Sequence, residues 1–275
     1  MMSLGKRMVK PMEMNNWKKI LTPYTQAVEE LKIKFKGMRN EYINLDEYSP
    51  IEFVTGRVKK ISSILEKAKK KNIPLDQVEE KMEDIAGIRI MCQFVEDIYK
   101  VREIIRSRHD MYVVEERDYI NNLKPSGYRS YHIIIKYPVQ TAQGEKLVFA
   151  EIQIRTLAMN FWATIEHSLR YKYKQNMPEH IQERLNKAAE AAHLLDQEMA
   201  EIREEVLKSQ QGFQAESNVV ADIFGNVQAL AKTNEQEDMN DIYEMFWSLW
   251  EEGNVDKLNQ FNKELEDKIR QVYQM

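Results

Sequence analysis

Two carboxylates mark where this sequence could do chemistry. Asp84 stands at the entry to the apolar run IAGIRIM, and Glu151 interrupts the run LVFAEIQIRT, places where a charge needs a partner or a task. Read as a strand, the second run puts Val148, Ala150, Ile152 and Ile154 on one face. Its other face begins with Leu147 and Phe149 and then becomes Glu151, Gln153 and Arg155. Arg89 follows Asp84, and between Arg57 and Lys71 there are seven basic residues and one acid, Glu66. Two acids beside a basic helix suit a divalent metal and a polyphosphate, because magnesium takes hard oxygen ligands, commonly one or two carboxylates plus substrate phosphates. The same residues also fit a structural role, with Asp84 capping a turn and Glu151 paired with Arg155 or Arg89 on a solvated sheet face.

The stretch KPSGYRSYHIII, residues 124–135, supplies a second constellation. Pro125, Ser126 and Gly127 make a turn, after which Tyr128, Ser130 and His132 share one strand face and Arg129 and Tyr131 the other. A tyrosine at a loop-to-strand junction offers a flat surface for a base, and Lys124 can meet phosphates. A tyrosine half buried in an ordinary sheet is the alternative. His109-Asp110 matches a dipeptide of some metal-dependent phosphohydrolases, but no second histidine lies close enough in sequence to complete a metal set. The sequence contains no GxxxxGK[ST] loop and no GxGxxG.

These residues need elements to hold them. Apolar residues at three-and-four spacing predict a long helix over 17–42, and a second helix over 49–73 with Ile61, Ile64, Leu65 and Ala68 inward. Runs rich in branched and aromatic residues predict strands from Ala86 and over 111–118, 128–137 and 146–156, with a helix over 97–108 between the first two. The last two strands, joined across Pro138 to Gly144, form an antiparallel hairpin, so the fold is α/β with a mixed or antiparallel sheet. Helices are predicted over 159–173 and 178–211. A polar linker then follows Gly212, and two or three short helices carry the aromatic cluster Phe246, Trp247 and Trp250. That cluster reads as a small helical core, with partner binding the alternative.

The 275 residues are 43 % hydrophobic, enough for a buried core. A net charge of -4 argues against generic DNA binding, which needs a broad basic surface. No apolar run is long enough for a membrane span and none resembles a signal peptide, so a cytoplasmic protein is expected. Cys92 is the single cysteine, which excludes an intrachain disulfide.

Taken together, SPIEFVTGRVKKISSILEKA, MEDIAGIRIMCQF, SGYRSYH and EIQIRTLAMNFWATIEHSLRYKY resemble the synthetase domain of the RelA/SpoT family, closest to its single-domain small alarmone synthetases. The resemblance implies a nucleotidyltransferase-like mixed sheet flanked by helices, over residues 16–211, between an N-terminal extension (1–15, expected to be disordered) and a helical C-terminal extension (212–275). It implies transfer of the β,γ-diphosphate of ATP to the 3′-hydroxyl of GDP or GTP, giving AMP and the guanosine tetra- or pentaphosphate of the stringent response, without hydrolase activity. On the matching blocks, Asp84 would bind Mg²⁺, and Glu151 would orient or deprotonate the hydroxyl and touch the metal. Arg57, Lys67, Lys70 and Arg89 would hold ATP, Tyr128 would stack on guanine, and Lys124, Arg117, His132 and Gln153 would line the guanine-nucleotide side. A homotetramer is implied, with product bound allosterically near Lys36, Phe53 and Thr55.

Overall fold

A computed structural model describes residues 14–172, 177–231 and 239–273. The expected N-terminal extension therefore lies, up to residue 13, outside the described residues. The chain divides into two compact units, Met1–Ala200 and Glu201–Met275.

In the first unit, helix α1 (Met14–Asn44) turns Tyr24, Ala27, Val28, Leu31 and Phe35 into the core at the spacing its sequence predicts. Five strands follow: β1 (Phe53–Val58), β2 (Ala86–Cys92), β3 (Tyr112–Asp118), β4 (Tyr131–Thr141) and β5 (Gly144–Thr156). Their order in the sheet is β1-β2-β5-β4-β3. All neighbours are antiparallel except β2 and β5, so the sheet is mixed. Helices α2 (Ile61–Lys70) and α3 (Val78–Lys81) connect β1 to β2, α4 (Val95–Arg106) connects β2 to β3, and α5 (Leu157–Lys172) follows β5.

One sheet face is apolar. Val54, Ile88, Ile90, Ile133, Ile135, Ala150, Ile152 and Ile154 join residues of α1 and α4 in one cluster. Gly56 belongs to this face because α1 passes so close that a Cβ there would lie 2.9 Å from Val28 Cγ1. The opposite face carries the polar residues, as the alternation in β5 predicts.

Four local expectations give way. Residues 49–73 are not one helix: Phe53–Val58 is a strand, and only Ile61–Lys70 is helical. Val54, Gly56 and Val58 alternate with the exposed Phe53, Thr55 and Arg57, a period of two, and pairing with β2 overrides the helical reading. Within α2, Ile64 and Ala68 are buried but Leu65 faces solvent. Tyr128 precedes β4, which begins at Tyr131. The polar linker after Gly212 is absent, since α6 runs unbroken over Glu179–Ala231. Val219, Ile223, Val227 and Leu230 give its last turns an apolar stripe that packs in the second unit.

That second unit gathers this stripe with α7 (Met239–Glu252) and α8 (Val255–Tyr273) around Phe246, Leu258 and Leu265. Phe246 is buried there, while Trp247 and Trp250 remain partly exposed with their rings near it.

Candidate active site

Strand register builds the site. Thr55 of β1 sits beside Arg89 of β2, Arg89 beside Gln153 of β5, Gln153 beside His132 of β4, and His132 beside Arg117 of β3. These five residues form one row across the sheet. In the next row Arg57 faces Gly87, and Gly87 faces Glu151. The missing side chain at Gly87 leaves the floor between Arg57 and Glu151 open.

Glu151 is held from both sides. Its Oε1 lies 3.0 Å from His132 Nδ1, and its Oε2 accepts from Gln153 Nε2 at 2.7 Å. Tyr128 Oη lies 2.7 Å from His132 Nε2 and accepts from Arg155 at 2.6 Å. An ionised carboxylate can only accept, so Nδ1 carries the proton and Nε2 accepts from the tyrosine hydroxyl. Arg155, Tyr128, His132 and Glu151 thus form one directed chain with a neutral imidazole. Burial also pushes the His132 pKa down, against the pull of Glu151. Burial raises Glu151, but the His132 and Gln153 hydrogen bonds outweigh it and hold the carboxyl below its usual value. It is ionised at neutral pH.

Gln153 also accepts through Oε1 from Arg155 at 2.8 Å and Arg89 at 3.4 Å, which fixes its amide orientation. Burial, with Arg155 and Arg57 nearby, lowers the Arg89 pKa. Three guanidinium groups converging on one cleft make a place for phosphates.

Asp84 is the second carboxylate. Its Oδ2 accepts from Lys59 at 2.8 Å and Lys67 at 2.6 Å. Burial raises its pKa, yet the two ammonium groups overcome this and lower it overall. Its Oδ1 is buried with no hydrogen-bond partner. Asp84 is near enough for its negative charge to raise the Glu151 pKa, an effect smaller than those of His132 and Gln153. No group of three or more acidic, histidine or cysteine residues that could hold a metal occurs among the described residues. Two carboxylates, one with a free buried oxygen, fit Mg²⁺ that completes its shell with phosphate and water.

Sequence reasoning found Asp84, Glu151, Arg89, Gln153, His132, Tyr128 and Lys67, and the fold brings them to one face. Lys124 also arrives, with its ammonium over the rings of Tyr119 at 3.8 Å and Tyr128 at 4.8 Å. Arg57 is exposed on β1 and Lys70 is exposed on α2. Arg117 shares the row, but its guanidinium is taken by Glu83 at 2.9 Å and by Glu115. Phe53 and Thr55 are exposed on β1 and Lys36 on α1. Lys59 and Arg155 received no such role from the sequence. The alternation Glu151, Gln153, Arg155 already pointed to the latter, whereas Lys59 was one lysine among several in a basic run. His109 is exposed, and Asp110 pairs with Arg108 and Lys34 away from the site.

The region found in RelA / SpoT proteins matches residues 56–176. GTP pyrophosphokinase YjbM of Bacillus subtilis (strain 168) is 60 % identical over 202 residues, covering 74 % of this chain and 95 % of the relative. The crystal structure of small alarmone synthetase 1 from Bacillus subtilis bound to its product pppGpp aligns with TM-score 0.68 and 62 % identity, covering 70 % of this chain and 98 % of that one. The same enzyme bound to AMPCPP aligns with TM-score 0.63 and 57 % identity over 70 % and 99 % of the two chains. The chain belongs to the RelA/SpoT family, among its small alarmone synthetases.

Proposed function

We propose that this chain is a GTP pyrophosphokinase: it moves the β,γ-diphosphate of ATP to the ribose 3′-hydroxyl of GDP or GTP, releasing AMP and forming guanosine tetra- or pentaphosphate. The observation that carries this reading is the ionised Glu151 carboxylate, clamped by His132 and Gln153 beside Arg89 and Arg155.

An alcohol is a weak nucleophile at neutral pH. Each Glu151 oxygen uses one lone pair on its protein donor, which leaves acceptor capacity for the 3′-hydroxyl. As that oxygen bonds to the β-phosphorus, its proton passes to Glu151. The bond from the β-phosphorus to the α,β-bridging oxygen breaks, and its electron pair leaves with AMP. Arg57, Arg89, Lys67 and Lys70 offset charge on the ATP phosphates, since transfer of this kind relies on positioning and electrostatics. Tyr128 stacks on guanine, and Lys124 and Arg117 border the same subsite. Asp84 and Glu151 would hold Mg²⁺, which when bound supplies charge neutralisation at the phosphates.

The same reading includes a cytoplasmic homotetramer that binds its product near Lys36, Phe53 and Thr55, with 212–275 as an appended helical unit. Support for the assembly and the allosteric site comes from the family resemblance. No helix among the described residues is long and apolar enough to cross a membrane.

The test is to incubate the protein with ATP, Mg²⁺ and GDP or GTP and to resolve products by anion exchange, with Glu151→Gln alongside. AMP should appear together with a guanosine nucleotide carrying two extra phosphates. The variant should lose about 10²-fold or more in rate, the scale of a positioned general base. Full activity in Glu151→Gln would move the base elsewhere, and absence of product with every guanine acceptor would end the reading.

A further inference from the structure

Tyr128 lies outside the sheet's ladders: its hydroxyl is tied to His132 of β4 and Arg155 of β5, but its backbone is not paired with any strand. Residues 121–130 lie outside the strands, and β4 begins only at Tyr131. A ring that must meet a base therefore needs its position set by something other than ladder hydrogen bonds. One face of α6 provides it, through residues spaced three and four apart.

At Ala189 the contact is steric. A Cβ on Gly127 would fall 2.6 Å from Ala189 Cβ, and Gly127 has φ +76°, so both space and backbone require glycine there. Next to it, Arg129 donates to the Ala189 carbonyl at 3.1 Å and to Glu190 Oε2 at 3.0 Å. Asn186 donates to the Pro125 carbonyl at 3.3 Å. The residues before and after Tyr128 are thus both fixed to the helix. Tyr128 packs against the buried cluster of Trp162, Ala163 and Ala189, its ring 6.5 Å from that of Trp162, and the Trp162 indole donates to the Leu185 carbonyl at 2.9 Å. None of these α6 residues belongs to the polar row that surrounds Glu151.

We propose that Asn186, Ala189 and Glu190 of α6 are positioning residues for the acceptor subsite, setting guanine-nucleotide affinity through the placement of Tyr128 and leaving ATP affinity alone. This rests on the reading that Tyr128 stacks on guanine. Stacking falls off steeply with displacement and tilt of the ring, so a helix that fixes the segment on both sides of Tyr128 governs the acceptor specifically. ATP is assigned to Arg57, Arg89 and the α2 lysines, which α6 does not touch through these contacts.

The experiment is calorimetric titration of GDP and, separately, of a non-hydrolysable ATP analogue into wild type, Ala189→Leu, Ala189→Ser, Glu190→Ala and Tyr128→Ala, with a thermal unfolding curve for each. Ala189→Leu and Tyr128→Ala should each weaken GDP about tenfold or more, the scale of a lost base stack, with the ATP analogue within about twofold of wild type. Glu190→Ala should weaken GDP by a smaller factor, and Ala189→Ser, which keeps a small side chain, should bind GDP close to wild type. Because Glu190 is largely solvent-exposed, its variant tests the idea even where Ala189→Leu fails to fold. GDP affinity unchanged in Ala189→Leu and Glu190→Ala but lost in Tyr128→Ala would overturn the role of α6 while keeping that of Tyr128. Equal weakening of both nucleotides would overturn the separation of subsites. GDP affinity unchanged in Tyr128→Ala would remove the stacking reading and this inference with it, whereas product formation by wild type tests the activity independently.

Discussion

His132 Nδ1 stands 3.0 Å from Glu151 Oε1, and the far nitrogen of the same ring meets the Tyr128 hydroxyl. The histidine therefore links the proposed base to the proposed guanine platform. Removing it in His132→Gln should lower kcat about tenfold, less than loss of Glu151 itself, because an aimed carboxylate becomes a loosely held one. A pH signature separates this from general damage. His132 is the main group holding the Glu151 pKa down against burial, so its loss raises that pKa. The acid limb of the kcat profile should then move to higher pH, and an unmoved limb would argue that His132 does not act on Glu151.

Gly87 yields a prediction of a different kind. It lies between Arg57 and Glu151 across the strands, and a Cβ there would meet only Arg57, at 3.7 Å or beyond. Valine suits a strand and fits without backbone strain. Gly87→Val should hold its melting temperature within a few degrees yet lose about tenfold or more in kcat/KM, since a branched side chain fills the cleft floor. Unfolding curves and steady-state rates check this together. A variant with normal kcat/KM would place the reacting groups away from that floor.

These two cases show what the sequence could and could not reveal. The polarity switch in β5 was readable because strand side chains alternate with period two, which put Glu151, Gln153 and Arg155 on one face at once. The row from Thr55 to Arg117 was not, because it depends on register between strands far apart in the chain. The strand Phe53–Val58 was hidden by the strongly basic helical pattern that follows it. Lys59, just past that strand, became visible as a partner of Asp84 only once the chain turned there. The α6 support of Tyr128 comes from some sixty residues downstream, and small residues such as Ala189 carry no chemical signal of their own.

Asp196 is a buried carboxyl that the mechanism does not use. It accepts from the Thr156 hydroxyl at 2.8 Å, while Thr156 Oγ1 in turn accepts from the Met159 amide at the start of α5. Burial raises its pKa to about 6, against the opposing pull of Thr156 and Arg129. A raised acid binds its proton more tightly in the folded state. Its stabilising contribution is therefore complete below the ordinary aspartate value and is lost as pH rises through about 6. Asp196→Asn keeps an oxygen for Thr156 without the charge. Chemical denaturation should find the variant more stable than wild type at pH 7.5, by on the order of 1–2 kcal/mol, with the gap closing toward pH 4. A variant less stable at pH 7.5 would mean that the ionised form is the one the fold prefers.

The second unit can be separated from the chemistry by a single ring. Phe246 is buried among Val227, Leu258 and Leu265, lies 5.2 Å from the Phe224 ring centroid, and stacks at 6.3 Å on Trp250. Truncating such a side chain removes its transfer free energy and leaves a cavity, typically about 3–5 kcal/mol for Phe→Ala. That is a large share of what so small a helical unit can hold in reserve. Phe246→Ala should therefore melt this unit early, as a low-temperature step in tryptophan fluorescence, because Trp247 and Trp250 both adjoin the lost ring. Every proposed catalytic and nucleotide-binding residue falls within Met1–Ala200, so synthesis of the guanosine product at 25 °C should stay within about twofold of wild type. A proportionate loss of activity across the same fluorescence step would instead make residues 212–275 part of the working enzyme.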